Sequence, residues 1–240
     1  MDGVAGSVPS GENERKGIDM KERPILFNGE MVRAVMDGAK TQTRRIIKDV
    51  LETYLFVGMA DNRAIFSDPD SPVVAEWKCP YGVAGDRLWV RETFRFVTDP
   101  KLWTCIEYRA DMARIKPTGW NDKQGWQAEI EGGEEFNEPG PWRPSIFCPR
   151  FGSRINVEVF DVRVERVQSI DEADAKAEGT HSLIHKDMDP GTGAHISNTL
   201  SYRWGFAELW DSINGKPRKD GTDISWAANP WVWVVEFKRV

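Results

Sequence analysis

The segment that most restricts what this chain can fold into lies at residues 231 to 240. There Trp231, Trp233, Val235 and Phe237 alternate with Val232, Val234, Glu236 and Lys238. Successive side chains of a strand point to opposite faces, and a strand with apolar groups on both must be covered from both sides. The segment therefore predicts an interior strand. Other stretches supply its partners: Ile25-Leu26-Phe27 reads as a short buried strand, and Leu88, Val90, Glu92 and Phe94 alternate with Trp89, Arg91 and Thr93 after a Gly85-Asp86 turn. Residues 152 to 167 alternate through Ile155, Val157 and Val159, bend or bulge near Phe160-Asp161, and continue with Val162 and Val164.

Helices are fewer. Asn28 is a suitable N-cap for a helix with Met31, Val32, Val35 and Met36 on one face, closed by Gly38, whose backbone tolerates the left-handed turn that ends a helix. Ser169-Ile170-Asp171-Glu172 has the form of a capping box opening a helix that stops before Gly179. A third helix carries Phe206, Leu209, Trp210 and Ile213 at helical spacing, with Gly215 and Pro217 beyond. Short strands with interspersed helices and no regular βαβ repeat predict an α+β chain built on a small closed or half-closed β-barrel flanked by helices.

Residues 20 to 240 read as a single domain with insertions at about 49–80 and 96–149. Leu55 to Val57 and Ala64 to Phe66 form a hairpin around Asp61-Asn62, followed by a Pro-rich loop. Asn121 to Gly140 holds Asp122, Glu129, Glu131, Glu134, Glu135 and Glu138 among four glycines, either a plain surface loop or a lid that repels polyanions. Residues 1 to 19 lack apolar periodicity and read as a loose tail, with Met20 a candidate start.

Charge and cysteine usage narrow the function. Lys plus Arg total 32 against 38 Asp plus Glu, a net charge of -6 that disfavours indiscriminate duplex DNA binding and leaves room for a local basic pocket. Cys79, Cys105 and Cys148 are odd in number without CxxC spacing, which suits a reducing cytoplasm and neither a disulfide framework nor a thiolate zinc site. The longest apolar run is far too short to cross a bilayer. His181 and His185 are followed by Asp187 and Asp189, but Gly179 should end the helix that would align them, so no metal and no cofactor are expected. Most of the eleven tryptophans read as core; Trp89, opposite Leu88 and Val90, is the better stacking candidate. Glu92 reads as a half-buried carboxylate in a salt bridge, and as the rival catalytic acid.

The densest chemistry is Gly38-Ala-Lys-Thr-Gln-Thr-Arg-Arg45, a turn feeding three cations and two hydroxyls into a strand. Thr41, Thr43 and Arg45 share one face and Gln42 and Arg44 the other, while Lys40 sits in the bend and can curl toward Thr43. Two readings stand: a pocket for an anionic or carbonyl-bearing ligand, or a solvated basic strand edge. Glu178, at the border of the inward face of the second helix, lies in a last turn where the dipole calls for a nearby cation; Lys40 is the candidate, and a solvent-facing Glu the alternative.

Gly38, Lys40, Thr43 and Arg45 match the Gly-x-Lys-x-x-Thr-x-Arg pattern of the ASCH domain family, and the chain resembles that family in its Gly85-Asp86-Arg87-Leu88 turn, its Ser169 to Gly179 helix and its Trp233 to Lys238 strand. The resemblance implies a PUA-like barrel. It also implies one of two activities: an amidohydrolase removing an acyl group from a modified cytidine, or a non-catalytic module for short single-stranded RNA. Long Trp-rich relatives further resemble phage and prophage proteins, which brings in a phage assembly role. For the hydrolase, the resemblance implies Lys40, Thr43 and Glu178 as catalytic residues. Gly38, Thr41, Arg44, Arg45, Trp89 and Glu92 are expected around the substrate. Lys40 would take the proton of Thr43, Thr43 would attack the amide carbonyl, Glu178 would pass the proton to the leaving amine, and Arg45 or backbone amides would steady the oxyanion.

Overall fold

Alternation and capping produce thirteen strands and three α-helices among the residues described by the computed structural model: 20–50, 53–71, 74–99, 103–116, 139–188 and 195–240. The tail before Met20, the acidic stretch up to Glu138, and Asp189 lie outside the described residues. In chain order, β1 (Glu22–Leu26), α1 (Gly29–Met36) and β2 (Gln42–Ile46) come first. Then follow β3 (Leu55–Ala60), β4 (Arg63–Ser67), β5 (Val74–Lys78), β6 (Arg87–Arg91), β7 (Phe94–Asp99), β8 (Trp103–Tyr108) and β9 (Arg114–Ile115). The chain continues through β10 (Asn156–Arg166), α2 (Glu172–Ala177), β11 (Leu183–Met188), β12 (His195–Ser201), α3 (Tyr202–Asn214) and β13 (Trp231–Arg239).

The main sheet has the order β1-β6-β10-β13-β2, with β1 parallel to β6 and the other neighbours antiparallel. β13 is interior, as its two apolar faces require. Trp233, Val235 and Phe237 join Ile25, Phe27, Leu88, Val90, Val157 and Val159 in one core. Val232 and Val234 join Val167, Ile170, Phe206 and Trp210 in another, beneath α2 and α3. The irregularity expected near Phe160 is a register shift between Val159 and Asp161. Asn28 caps α1 by accepting from the Met31 amide, and Gly38, at φ +74, turns the chain into β2.

Among the described residues no strand pairing closes this sheet into a barrel. β1 and β2 are its edges, yet the sheet curls enough to bring Arg45 of β2 within reach of the end of β1. The Arg45 Nη2 donates to the Leu26 carbonyl at 2.6 Å, the Arg45 guanidinium lies 5.6 Å from the Phe27 ring, and the rings of Phe27 and Phe237 are 6.0 Å apart. A side chain bridges the gap where a further strand would otherwise be needed.

The two stretches read as insertions are small sheets. β3 and β4 form the hairpin expected around Asp61-Asn62, and β5 adds a strand where only a Pro-rich loop was expected. Its signal is short, and side chains on one face only are covered. This sheet delivers Ala64 and Phe66 to the main core, with Phe66 5.4 Å from Trp231. β7, β8 and β9 form a second three-stranded sheet over its own cluster of Phe94, Phe96, Ile106, Tyr108 and Cys148.

Two expectations about helices need correction. Ile213, placed on the apolar stripe of α3, is 55% exposed, because the last turn runs past the core that Phe206 and Trp210 close. The cap of α2 is Asp171, which accepts from the Asp174 amide; Ser169 instead ends a 3₁₀ turn, and Glu172 reaches across to Ser201 and the Tyr202 amide. The helix thus starts two residues late, which leaves Ala173 exposed and buries Ala175. Among the described residues no helix is long and apolar enough to cross a membrane.

Candidate functional site

The site forms where the turn after α2 meets the start of β2. The Lys40 amide donates to the Ala34 carbonyl of α1, and the Thr41 amide donates to the Ala177 carbonyl, so the chain leaving α2 lies along the edge of β2. Lys40 and Glu178 form an isolated antiparallel bridge there. Gly179, at φ +75, ends the helix; a Cβ on it would stand 2.8 Å from Ala34 Cβ and 3.0 Å from Lys40 Cβ. The close approach needs a glycine.

That approach joins two residues 138 positions apart. The Lys40 Nζ donates to Glu178 Oε2 at 2.7 Å and to the Glu178 carbonyl at 2.8 Å. Both side chains are buried, at 0% and 4% exposure. Burial pushes the Lys40 ammonium below its ordinary value of 10.5, against the pull of Glu178, and the charges of Arg45 and Arg44 push in the same direction as burial. The Phe27 ring lies 5.7 Å from Nζ.

Arg44 approaches Glu178 from the opposite face of β2 to Arg45. Its side chain is fully buried, with Nη1 3.5 Å from Glu178 Oε1 and Nη2 2.6 Å from Asp174 Oδ2 and 3.0 Å from Glu165 Oε2. Arg163 on β10 holds the same Asp174 oxygen at 2.9 Å and also pairs with Glu165 and Glu236. Gln42 donates to Asp174 at 3.2 Å. Burial raises the affinity of Asp174 for its proton, but Arg44 and Gln42 outweigh it and hold the carboxyl below the usual range.

Thr43 is 1% exposed, opposite Val235 in the register and on the same face as Arg45. Thr41 and Gly38 are exposed at the turn. The strand-edge reading of this segment therefore holds only for position: β2 is an edge strand, but Gln42, Thr43 and Arg44 are buried.

Two expected substrate contacts stand elsewhere. Trp89 points outward from β6, with the Arg91 and Arg150 guanidiniums 5.5 and 5.8 Å from its ring. Glu92 is buried in a two-pronged pair with Arg154, both contacts 2.8 Å, as the salt-bridge reading anticipated. Burial raises its proton affinity and Arg154 partly offsets this. Arg154 also holds Asp111 and lies 4.1 Å from the Tyr108 ring.

A cavity of about 950 Å³ opens between α1 and α3 and reaches Glu178, Gly179 and Thr180 at its inner wall. Met31, Ala34, Tyr202 and Leu209 line it, while Lys40 and Thr43 do not. Glu178 thus stands between this cavity and the buried lysine. His181 is exposed at its rim, and no group of three metal-ligating side chains occurs among the described residues. Cys79 and Cys148 are buried, and burial pushes both thiols up to about 11, far from the range of a reactive thiolate.

Asp174 sits one turn before Glu178 on the same helix, whereas Arg163 and Glu165 carry no sequence signal. On β10 they alternate with Val162 and Val164 as any outward charged pair would. No protein-family model, curated protein or solved structure matches the chain.

Proposed function

We propose that this protein is an amidohydrolase that removes an acyl group from a modified pyrimidine nucleoside, with Lys40, Thr43 and Glu178 as its working groups. The observation that carries the reading is the 2.7 Å contact between Lys40 and Glu178, an acid and a base joined in a buried place by two distant segments. A lysine whose ammonium is disfavoured by burial is a base able to take the proton of a threonine hydroxyl. On this reading the substrate enters from the cavity past Glu178 to reach the buried Thr43, whose Oγ1 attacks the acyl carbon as Lys40 accepts its proton. Glu178 relays a proton to the exocyclic nitrogen as the carbon–nitrogen bond breaks, and water then cleaves the acyl-threonine ester to release the acid. The resemblance to ASCH domains supports the choice of residues and of substrate, and the curled five-stranded sheet suits a PUA-like barrel in half-closed form.

Incubation with N-acetylcytidine, followed by chromatography for cytidine and acetate, tests the reading. Thr43→Ala and Lys40→Met are each expected to lower turnover by about a hundredfold or more, the scale of a lost general base or nucleophile. Hydrolysis that survives Thr43→Ala rejects the assignment of the nucleophile.

A second reading, RNA recognition without catalysis, is favoured by Trp89, an outward-facing ring flanked by two arginines on which a base can stack. It predicts salt-dependent binding of a short single-stranded RNA that Trp89→Ala weakens, with no acetate released.

A further inference from the structure

The cluster around Glu178 contains a group that neither catalysis nor packing accounts for. Arg44 is a fully buried arginine on an edge strand, and burying a guanidinium is unfavourable unless its hydrogen-bonding atoms are matched. Two of them are not: among the described residues Nε and Nη1 donate to nothing. Only Nη2 is firmly held, by Asp174 and Glu165, and Nη1 is left facing Glu178 Oε1, which itself accepts no hydrogen bond. The Phe206 ring, 5.9 Å from the guanidinium carbon, backs it from α3.

We propose that Arg44 is a positioning residue, a guanidinium fixed by Asp174 and Glu165 that orients the Glu178 carboxylate and supplies a second cation against which Lys40 gives up its proton. The innermost three charged groups are Lys40, Arg44 and Glu178, at 0%, 0% and 4% exposure, two cations to one anion. Arg44 is permanently charged, so the group that yields is Lys40. Asp174 and Glu165, each about a quarter exposed, belong to the clamp and are shared with Arg163. The groups facing Lys40 are Glu178 from the turn after α2, Arg44 and Arg45 from β2, the uncharged Phe27 ring beyond β1, and Ala34 of α1. On this proposal Arg44 acts through Glu178 and Lys40.

The inference rests on the hydrolase reading only for its effect on turnover; its charge effect is measured on the protein alone. In protein carrying labelled lysine, the Cε resonance of Lys40, assigned with Lys40→Arg, is titrated by NMR. The wild-type midpoint is expected below that of exposed lysines. Arg44→Gln is expected to raise proton affinity by about threefold, half a unit of midpoint, and Arg44→Lys to leave the midpoint near wild type while loosening Glu178. An ordinary wild-type midpoint overturns the proposal, as does an unshifted midpoint in Arg44→Gln; should that variant not fold, Arg44→Lys decides, a midpoint moved away from wild type or an unloosened Glu178 overturning the proposal. A depressed, Arg44-dependent midpoint without hydrolysis of N-acetylcytidine upholds the inference and rejects the hydrolase reading.

Discussion

Glu178 has its charge matched inside the protein, and its removal is felt first by Lys40. Breaking a buried pair from one side leaves the partner charged and unmatched, so Glu178→Ala is expected to cost about 3 kcal/mol or more in urea unfolding at pH 7. The double variant Lys40→Met, Glu178→Ala should be less destabilised than Glu178→Ala, since the stranded ammonium is gone. A second outcome concerns acid. Asp174 is held below its ordinary value of 3.8, so its stabilisation is complete above that pH and is lost as pH falls through the lower, folded-state value. Asp174→Asn should flatten the fall of stability below about pH 4 followed by circular dichroism. The meeting of Lys40 with Glu178 was legible because a carboxylate at a helix C-terminus asks for a cation. The burial of Arg44 was not. A strand reading Gln-Thr-Arg-Arg looks solvated until the counter-charges Asp174 and Glu165 are placed over it, and these come from two other elements.

At the level of elements, the turn at Gly179 fixes the distance between α1, β2 and α2. Gly179→Ala adds a methyl against Ala34 and Lys40 and places an alanine at positive φ, so it should cost more than about 1 kcal/mol. The same variant should shift the Lys40 resonance, whereas the cap change Asp171→Ala should cost about 1 kcal/mol in thermal unfolding and leave that resonance in place. Elements with strong periodicity, such as β13 and α1, were readable from their own residues, and the β3 and β4 hairpin from its Asp61-Asn62 turn. The start of α2 was misplaced because Ser169 and Asp171 are both good caps, and the choice is made by Glu172, which bonds to Ser201 and the start of α3 thirty residues on. β5 was missed because its alternation is short and its covering partners lie in β4.

On the scale of the whole molecule, Arg45 holds the curl of the sheet. Arg45→Met removes its bond to the Leu26 carbonyl and its contact with the Phe27 ring, while the five strands keep their own ladders. The expected result is a modest loss of global stability, about 1 to 3 kcal/mol, with faster amide exchange concentrated at Phe27 and along β1. Arg45→Lys should recover little of it, because an ammonium does not reproduce the guanidinium's planar stacking.

The position of β13 also governs the order of assembly. Residues 231 to 239 sit between β10 and β2, and they also place Val235 against Thr43 and Val234 against Arg44. During synthesis, the ribosome delivers the helix and strand on either side of Lys40 long before it delivers the ribbon that must wedge beside them. Until then the earlier segments emerge with an unfilled slot along their backbone, a vacancy that invites chaperones or another chain's strand.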